Sequence, residues 1–558
     1  MEPLRSGLGL SPTTANILIS RGINGVEEAE SFLGASLDGL LDPFLFTDMH
    51  RVVSRVKRAL DEKEKVVIFG DYDADGITAT ALLYQFLRML GLEPSYYIPE
   101  RQEEGYGISA AALRKIKDTG VTLIITVDTG ISSVSEVEAA SAMGMDVIIT
   151  DHHEPPDELP RAYAILNPWV KGSGYPFTGL AGVGVALKLA QGVLAGLDGK
   201  DRGGPGIDPR LMCFLDLVAL GTIADVVPLV GENRILVRHG LTLIKDAGRP
   251  GINKLREVSS NNGNVGRFNS GTVGFQLAPR LNASGRLGKA ELGVRLLVTD
   301  DPDEAYKIAN ELDGLNRERQ KIEGIILEEA RSAIITELDQ DPCAIVLASD
   351  KWHQGVIGIV ASKLVEEFYR PTVLIAMNDG VGKGSGRSIP AFHLYKGLER
   401  CSQWLEGFGG HKFAAGLTIK REMLGPFKAG LESLIMESLK PEDFVPSLKI
   451  EGELGLKELD WKLYEELSSL SPFGSGNPEP VLKVSGAEVL YPKVVGKNHV
   501  RMNLKQDNVI IGSIGFNMGD IYQSLAMGRV TVDAAFCLEM NEWQGEKRLQ
   551  LNVKDLHF

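Results

Sequence analysis

Short, β-branched apolar runs alternate with longer periodic stretches through the first third of the chain. "KVVIFG" (65–70), "TLIITV" (122–127), "MDVIIT" (145–150) and "RAYAILN" (161–167) have the length and composition of strands. Between them "TATALLYQFLRML" (78–90) and "SEVEAASAMG" (135–144) repeat their apolar positions at helical spacing. Strands and helices in this order predict βαβ units and a mostly parallel sheet, with a helical lead-in over 1–50 and the sheet domain over 51–300. Ligands on such sheets bind beyond the carboxyl ends of the strands.

Further along, the pattern changes twice. The charged, periodic stretch at 302–334 has no internal proline and predicts one long helix, connecting domains over 301–335. A smaller α/β domain is expected over 336–444, from "CAIVLAS" (343–349), a helix near 356–368, "PTVLIAM" (371–377) and the glycine-rich "GKGSGRS" (382–388) and "GGHKFAAG" (409–416). From 445 to 558 short β-like runs and turns alternate, which predicts an OB-like β-barrel.

Composition narrows the class without naming a function. The chain has 558 residues, 44% hydrophobic and 24% charged, enough to bury several cores. No apolar run is long enough to span a bilayer, and the first residues lack the basic-then-apolar pattern of a secretory signal, so a cytoplasmic protein away from membranes is expected. Cys213, Cys343, Cys401 and Cys537 form no CxxC pair, which argues against a zinc ribbon or a disulfide framework. The net charge of −15 weighs mildly against nucleic acid, although a local basic groove can coexist with it.

Chemistry gathers at three predicted strand ends. In "DYDADG", Asp71, Asp73 and Asp75 alternate, so an extended backbone would point all three the same way. Asp128 follows the second long run, and Asp151, His152 and His153 follow the third. Two unit charges 4 Å apart repel by about 1 kcal/mol even in water, so convergent carboxylates need a compensating cation. If Asp73, Asp75, Asp128, one of the two histidines and a fourth aspartate meet, their charge would balance two divalent ions, an arrangement suited to phosphoryl transfer. A calcium loop is the competing explanation of DxDxDG, but the later glutamate such a loop requires is missing.

The ordered motifs "DYDADG", "VDTG", "DHH" and "GTIADVVPL" (221–229) resemble those of the DHH phosphoesterase superfamily. With "LAPRLNASGR" (277–286), "GSGRS", "GGHKFAAG" and "PFGSGNPEP" (472–480), the likeness is to its RecJ family of single-strand-specific 5′→3′ DNA exonucleases, over essentially the whole chain. The resemblance implies a DHH domain joined by the long helix to a DHHA1 domain and an OB-like nucleic-acid-binding domain. It makes Asp73, Asp75, Asp128, His152 and Asp225 the metal ligands. It implies that Asp71 and Asp151 are weaker ligands or orient metal water and imidazole respectively, and that His153 bonds the scissile phosphate rather than a metal. Arg280, Asn282, Ser385, Arg387, Ser388 and His411 are implied as nucleic-acid contacts, although from the residues alone "GSGRS" reads equally as a loop and His411 as structural; Arg286 is read as a structural ion-pair partner and "PFGSGNPEP" as a rigid loop. Many superfamily members carry a histidine where this chain has Phe69, which implies weaker binding of one metal. Carboxylate and imidazole without thiolate favour Mn²⁺ or Mg²⁺ over zinc.

The function this resemblance implies is that of a metal-dependent exonuclease releasing 5′-mononucleotides from single-stranded DNA in repair and recombination. A single-strand-binding protein and a helicase are the implied partners, and a monomer is the simplest assembly. Two other classes stay open. A small-substrate DHH phosphodiesterase or oligoribonuclease would usually lack the barrel and bridging helix. A catalytically silent single-strand-binding module would have lost metal aspartates that are present here.

Overall fold

Five strands, β1 (Val66–Gly70), β2 (Ser95–Tyr97), β3 (Leu123–Val127), β4 (Asp146–Thr150) and β5 (Ala164–Leu166), form a wholly parallel sheet in the order β2-β1-β3-β4-β5. The computed structural model describes residues 2–558 apart from 101–104, 106, 201, 247, 261–267, 338–341 and 544. Both faces are covered, which is why these strands read as continuous apolar runs. Val66, Ile68, Leu123 and Ile125 face the large core built from helices Ala74–Met89, Gly182–Leu197 and Leu215–Ala224, whereas Val67, Phe69, Ile124 and Val147 face helices Ala110–Asp118 and Val134–Ala142. Phe69 is fully buried there, stacked on Tyr97.

Register is what makes this sheet a platform. Gly70 pairs with Val127, Val127 with Thr150, and Thr150 with Leu166. The residues after these, Asp71, Asp128, Asp151 and Asn167, therefore leave the sheet side by side along its carboxyl edge.

The connecting helix runs over Pro302–Glu337. Its first half buries Ala305, Ile308, Ala309 and Leu312 in the core of the sheet domain, and its second half buries Ile326, Ala330 and Ile334 under the next domain. That domain holds β6 (Ile345–Ser349), β7 (Thr372–Asn378), β8 (Val381–Arg387), β9 (Gly407–Gly410) and β10 (Ala414–Lys420), ordered β6-β7-β8-β10-β9, with only β6 and β7 parallel.

The last domain is a barrel. Strands β11 (Gly452–Glu453), β12 (Leu482–Val495), β13 (His499–Gln506), β14 (Val509–Gly515), β15 (Thr531–Trp543) and β16 (Glu546–His557) form one sheet, and pairing of β12 with β15 closes five of them into a ring. The helical lead-in is divided between two cores, Leu40, Phe46 and Met49 joining the sheet domain and the first helices the barrel. Leu4, Ala15, Ile17 and Leu18 lie in the barrel's own core with Leu456, Leu463 and Leu482, and Arg21 pairs with Glu451 at 2.7 Å. "PFGSGNPEP" ties barrel and sheet domain together, since Ser475 O accepts from Leu229 N at 2.7 Å. Among the described residues no helix is long and apolar enough to cross a membrane.

Candidate metal centre and substrate cleft

The carboxylates converge because each is fixed by backbone close to it. Asp73 caps helix Ala74–Met89, accepting from the N–H groups of Asp75 and Gly76 at 2.9 and 3.1 Å. Asp75 is buried and aimed at the N-terminus of helix Gly182–Leu197, where it accepts from Gly182 N at 2.6 Å and Val183 N at 2.9 Å. Asp128 leaves β3 with φ 59°, in the left-handed region, and a Cβ at Gly182 would stand 2.6 Å from its own. Only glycine lets that helix approach so closely. Asp225 follows helix Leu215–Ala224 as its C-cap, where the helix dipole adds to the negative potential.

The Asp-His-His segment is organised by its aspartate. Asp151 Oδ1 accepts from His152 N at 2.7 Å and His153 N at 3.1 Å and faces His153 Nδ1 at 2.7 Å, while Oδ2 accepts from Ile131 N at 2.9 Å. His152 Nε2 stands 3.1 Å from Asp128, 3.5 Å from Asp225 and 3.9 Å from Asp75. It is buried and hydrogen-bonds to none of them. A buried imidazole nitrogen held among carboxylate oxygens with no hydrogen bond to them fits a cation.

Ligand atoms of Asp75, His152 and Asp225 lie within 4.8 Å of one another, and so do those of Asp71, Asp73 and Asp128. Asp128 also groups with His152 and His153 within the same span, so it is shared by two groups that could each hold a cation. The hard oxygen donors with one imidazole suit Mn²⁺ or Mg²⁺. All five sequence-predicted ligands are thus brought together, with Asp71 beside them as a direct candidate and Phe69 on the far face of the sheet.

Electrostatics agree with that geometry. Burial, and then the charge of Asp73, push Asp75 up to about 7 against its two backbone hydrogen bonds. Burial and neighbouring aspartates hold Asp128 and Asp225 well above the ordinary carboxylate value. Burial, and then the charge of His153, lower His152 to about 4, leaving it a neutral ligand at physiological pH. For Asp151 burial acts upward, but His153 outweighs it and the net direction is down. Burial lowers His153, yet the Asp151 hydrogen bond and the surrounding carboxylates raise it to about 9.

These shifts make stability depend on pH. The raised carboxylates bind protons in the folded protein that the unfolded chain would release, so the metal-free stability they contribute falls as pH rises from near 3.8 to about 7, while His152, lowered to about 4, contributes in the opposite sense up to about 6.5. A divalent cation must displace those protons at low pH and relieves repulsion at high pH. The rise in melting temperature on adding Mn²⁺ should be larger at pH 7.5 than at pH 5.5. An equal rise at both would separate the metal from these carboxylates.

Beyond the carboxyl edge lies a cleft of about 840 Å³ whose far wall is the second sheet. On β8 the odd positions Lys383, Ser385 and Arg387 line it, whereas a Cβ at Gly382 or Gly384 would meet Ile375 or Leu417 in the core. Arg387 Nη1 donates to Ser385 Oγ at 3.1 Å, and Gly358, in the first turn of helix Ile357–Phe368, approaches both side chains. A cationic fork, a hydroxyl and a helix N-terminus in one place form an anion site. His411 stands at the mouth, its Nδ1 3.9 Å from Glu154 across the gap.

Other sequence-predicted contacts fall elsewhere. Arg280 pairs with Asp313 of the connecting helix at 2.8 Å, which makes it a brace between helices. Ser388 is buried, and its hydroxyl donates to Phe392 O at 2.9 Å instead of facing the cleft. Asn282 Oδ1 accepts from Ala74 N at 2.8 Å, so it holds the aspartate loop in place. Arg286, expected in a structural ion pair, lines the cleft and donates to Gly355 O at 2.8 Å. Lys383 and Tyr72 also line it without having been singled out from the sequence; the period-2 pattern of β8 carried the signal for Lys383.

Comparison with known proteins matches this layout piece by piece. Residues 65–222 match the DHH family N-terminal domain, 341–437 the DHHA1 domain and 450–555 the RecJ OB domain. The single-stranded-DNA-specific exonuclease RecJ of Bacillus subtilis is 40% identical over 560 residues, covering 100% of this chain and 69% of the relative. The chain belongs to the RecJ family. Among solved structures, RecJ of Thermus thermophilus in complex with Mn²⁺ superimposes with a TM-score of 0.84 at 31% identity, over 100% of this chain and 77% of that one. Its Mg²⁺ complex gives 0.76 at 29% identity, over 100% and 76%. The RecJ architecture expected from the motifs, with DHH and DHHA1 domains and an OB barrel, is the one this chain has.

Proposed function

We propose that the chain is an exonuclease that hydrolyses single-stranded DNA from the 5′ end to 5′-mononucleotides, with two Mn²⁺ or Mg²⁺ ions as cofactors. The observation that carries this is the sharing of Asp128 by the Asp71-Asp73 group and the His152-His153 group, together with a cleft lined on one side by Tyr72 of the aspartate loop and on the other by Ser385 and Arg387. Family relatives named as single-stranded-DNA-specific exonucleases, and a relative solved with each of these metals, support it. Asp73, Asp75, Asp128, His152 and Asp225, with Asp71, would hold the ions. Divalent cations there would activate water and offset charge on the reacting phosphate.

The protein's own groups do the rest. Asp151 occupies His153 Nδ1, so Nε2 is the nitrogen that meets a phosphate oxygen and donates to it as charge develops. Arg286, Lys383 and Arg387 bind phosphates across the cleft, which gives an acidic protein a local cationic path. A volume of about 840 Å³ accommodates a few nucleotide units. A single-strand-binding protein or a helicase is the class of partner that would supply a single strand.

The test is digestion of single-stranded and duplex oligonucleotides labelled at either end, with and without Mn²⁺. Metal-dependent release of the 5′ label as mononucleotide, from single strands only, is the expected result. Release of the 3′ label first would overturn the polarity, and cleavage confined to dinucleotides would place the chain among small-substrate phosphodiesterases.

A further inference from the structure

Three costly local features lie on or against the helix that delivers Asp225, and the mechanism above uses none of them. Phe275 is 86% exposed, far more than a core-forming phenyl should be. It sits in a widened π-type turn, Val273–Leu277, set between two α-helical segments, and such turns collect at functional sites. Val226, the residue after Asp225, is 69% exposed at φ 61°, a left-handed conformation that β-branched residues rarely adopt.

The elements carrying these residues are packed together. A Cβ at Gly274 would stand 3.5 Å from Ile223 Cγ2, so the widened turn rests on the helix that delivers Asp225. Seven residues after Phe275 on the same helical rod, Asn282 holds the aspartate loop through Ala74 N. Seven residues set Phe275 roughly 10 Å along the axis from Asn282. Arg286, a further turn on, lines the cleft.

Resting on the exonuclease reading, we infer that Phe275 is a positioning residue that stacks on a nucleobase of the single strand outside the reacting nucleotide, with Val226 as its apolar neighbour on the rim. An exposed phenyl suits an unpaired base, because every base offers a π face and a duplex offers none along its length. Stacking there would hold the rest of the strand while its end lies over the metals.

The experiment compares wild type with Phe275→Ala and Phe275→Trp. KM for a long single-stranded oligonucleotide should rise about ten- to hundredfold in Phe275→Ala, recover in Phe275→Trp, and leave turnover of a trinucleotide unchanged. Melting temperature should not move, because the ring is exposed. Alongside, 2-aminopurine walked along a bound, uncut strand in metal-free buffer should be quenched at one position in wild type and at none in Phe275→Ala. Equal KM values and equal fluorescence at every position would overturn the inference, as would a loss shared by long and short substrates together with a lower melting temperature. The fluorescence is read without cleavage, so a wild type that cuts nothing would end the exonuclease assignment and still leave the stacking tested.

Discussion

Asp128→Asn should reduce nuclease activity on the order of a thousandfold or more and, at the same time, raise the melting temperature of the metal-free protein. The first effect follows from position, since Asp128 belongs to both the Asp71-Asp73-Asp128 group and the cluster around His152. The second follows from burial beside like charges, which holds its carboxyl well above the usual range. Asparagine keeps the shape that Gly182 packs against and removes the charge, which should stabilise by about 1 kcal/mol, a shift of about one degree in a chain this long. The Mn²⁺-induced rise in melting temperature should shrink with the activity. Near-normal Mn²⁺-dependent digestion by Asp128→Asn would remove this residue from the shared position.

Why that residue could be found from the sequence, and others could not, has a physical reason. Asp71, Asp128 and Asp151 each follow a strand, and parallel register puts strand ends side by side, so three separate local patterns predicted one cluster. Asp225 has no such marker. It caps a helix in "GTIADVVPL", an ordinary apolar segment, and only the family resemblance supplied it. The helical lead-in was legible as helices, but not the docking of its first helices on a barrel whose residues lie more than 400 positions later; nothing local encodes that contact.

Side-chain direction accounts for the remaining differences. Arg280 and Arg286 are six residues apart on one helix and so point about 120° apart, one to Asp313 and the other to the cleft. Arg387 and Ser388 are consecutive at the end of β8, and neighbours on an extended chain face opposite ways, so both could not serve the same wall. The alternation that excludes Ser388 also brings in Lys383 beside Ser385 and Arg387.

His153→Ala should lower kcat by roughly 10²–10³ with little change in KM, the loss typical of one donor to a developing charge. The Mn²⁺-induced rise in melting temperature should survive, because the proposed ligands are intact. Asp151→Asn is expected to cost less, about 10–100-fold, by disturbing the imidazole it orients. Asparagine has one oxygen where Asp151 uses two, one facing the His152 and His153 amides and His153 Nδ1, the other facing Ile131 N, so an NH₂ must oppose a donor on one side. If Asp151 acts through His153, adding Asp151→Asn to His153→Ala should lower the rate much less than it does alone. Independent, multiplying losses would break that link. Loss of Mn²⁺ stabilisation in His153→Ala would make His153 a metal ligand, a role its grouping with Asp128 and His152 would permit.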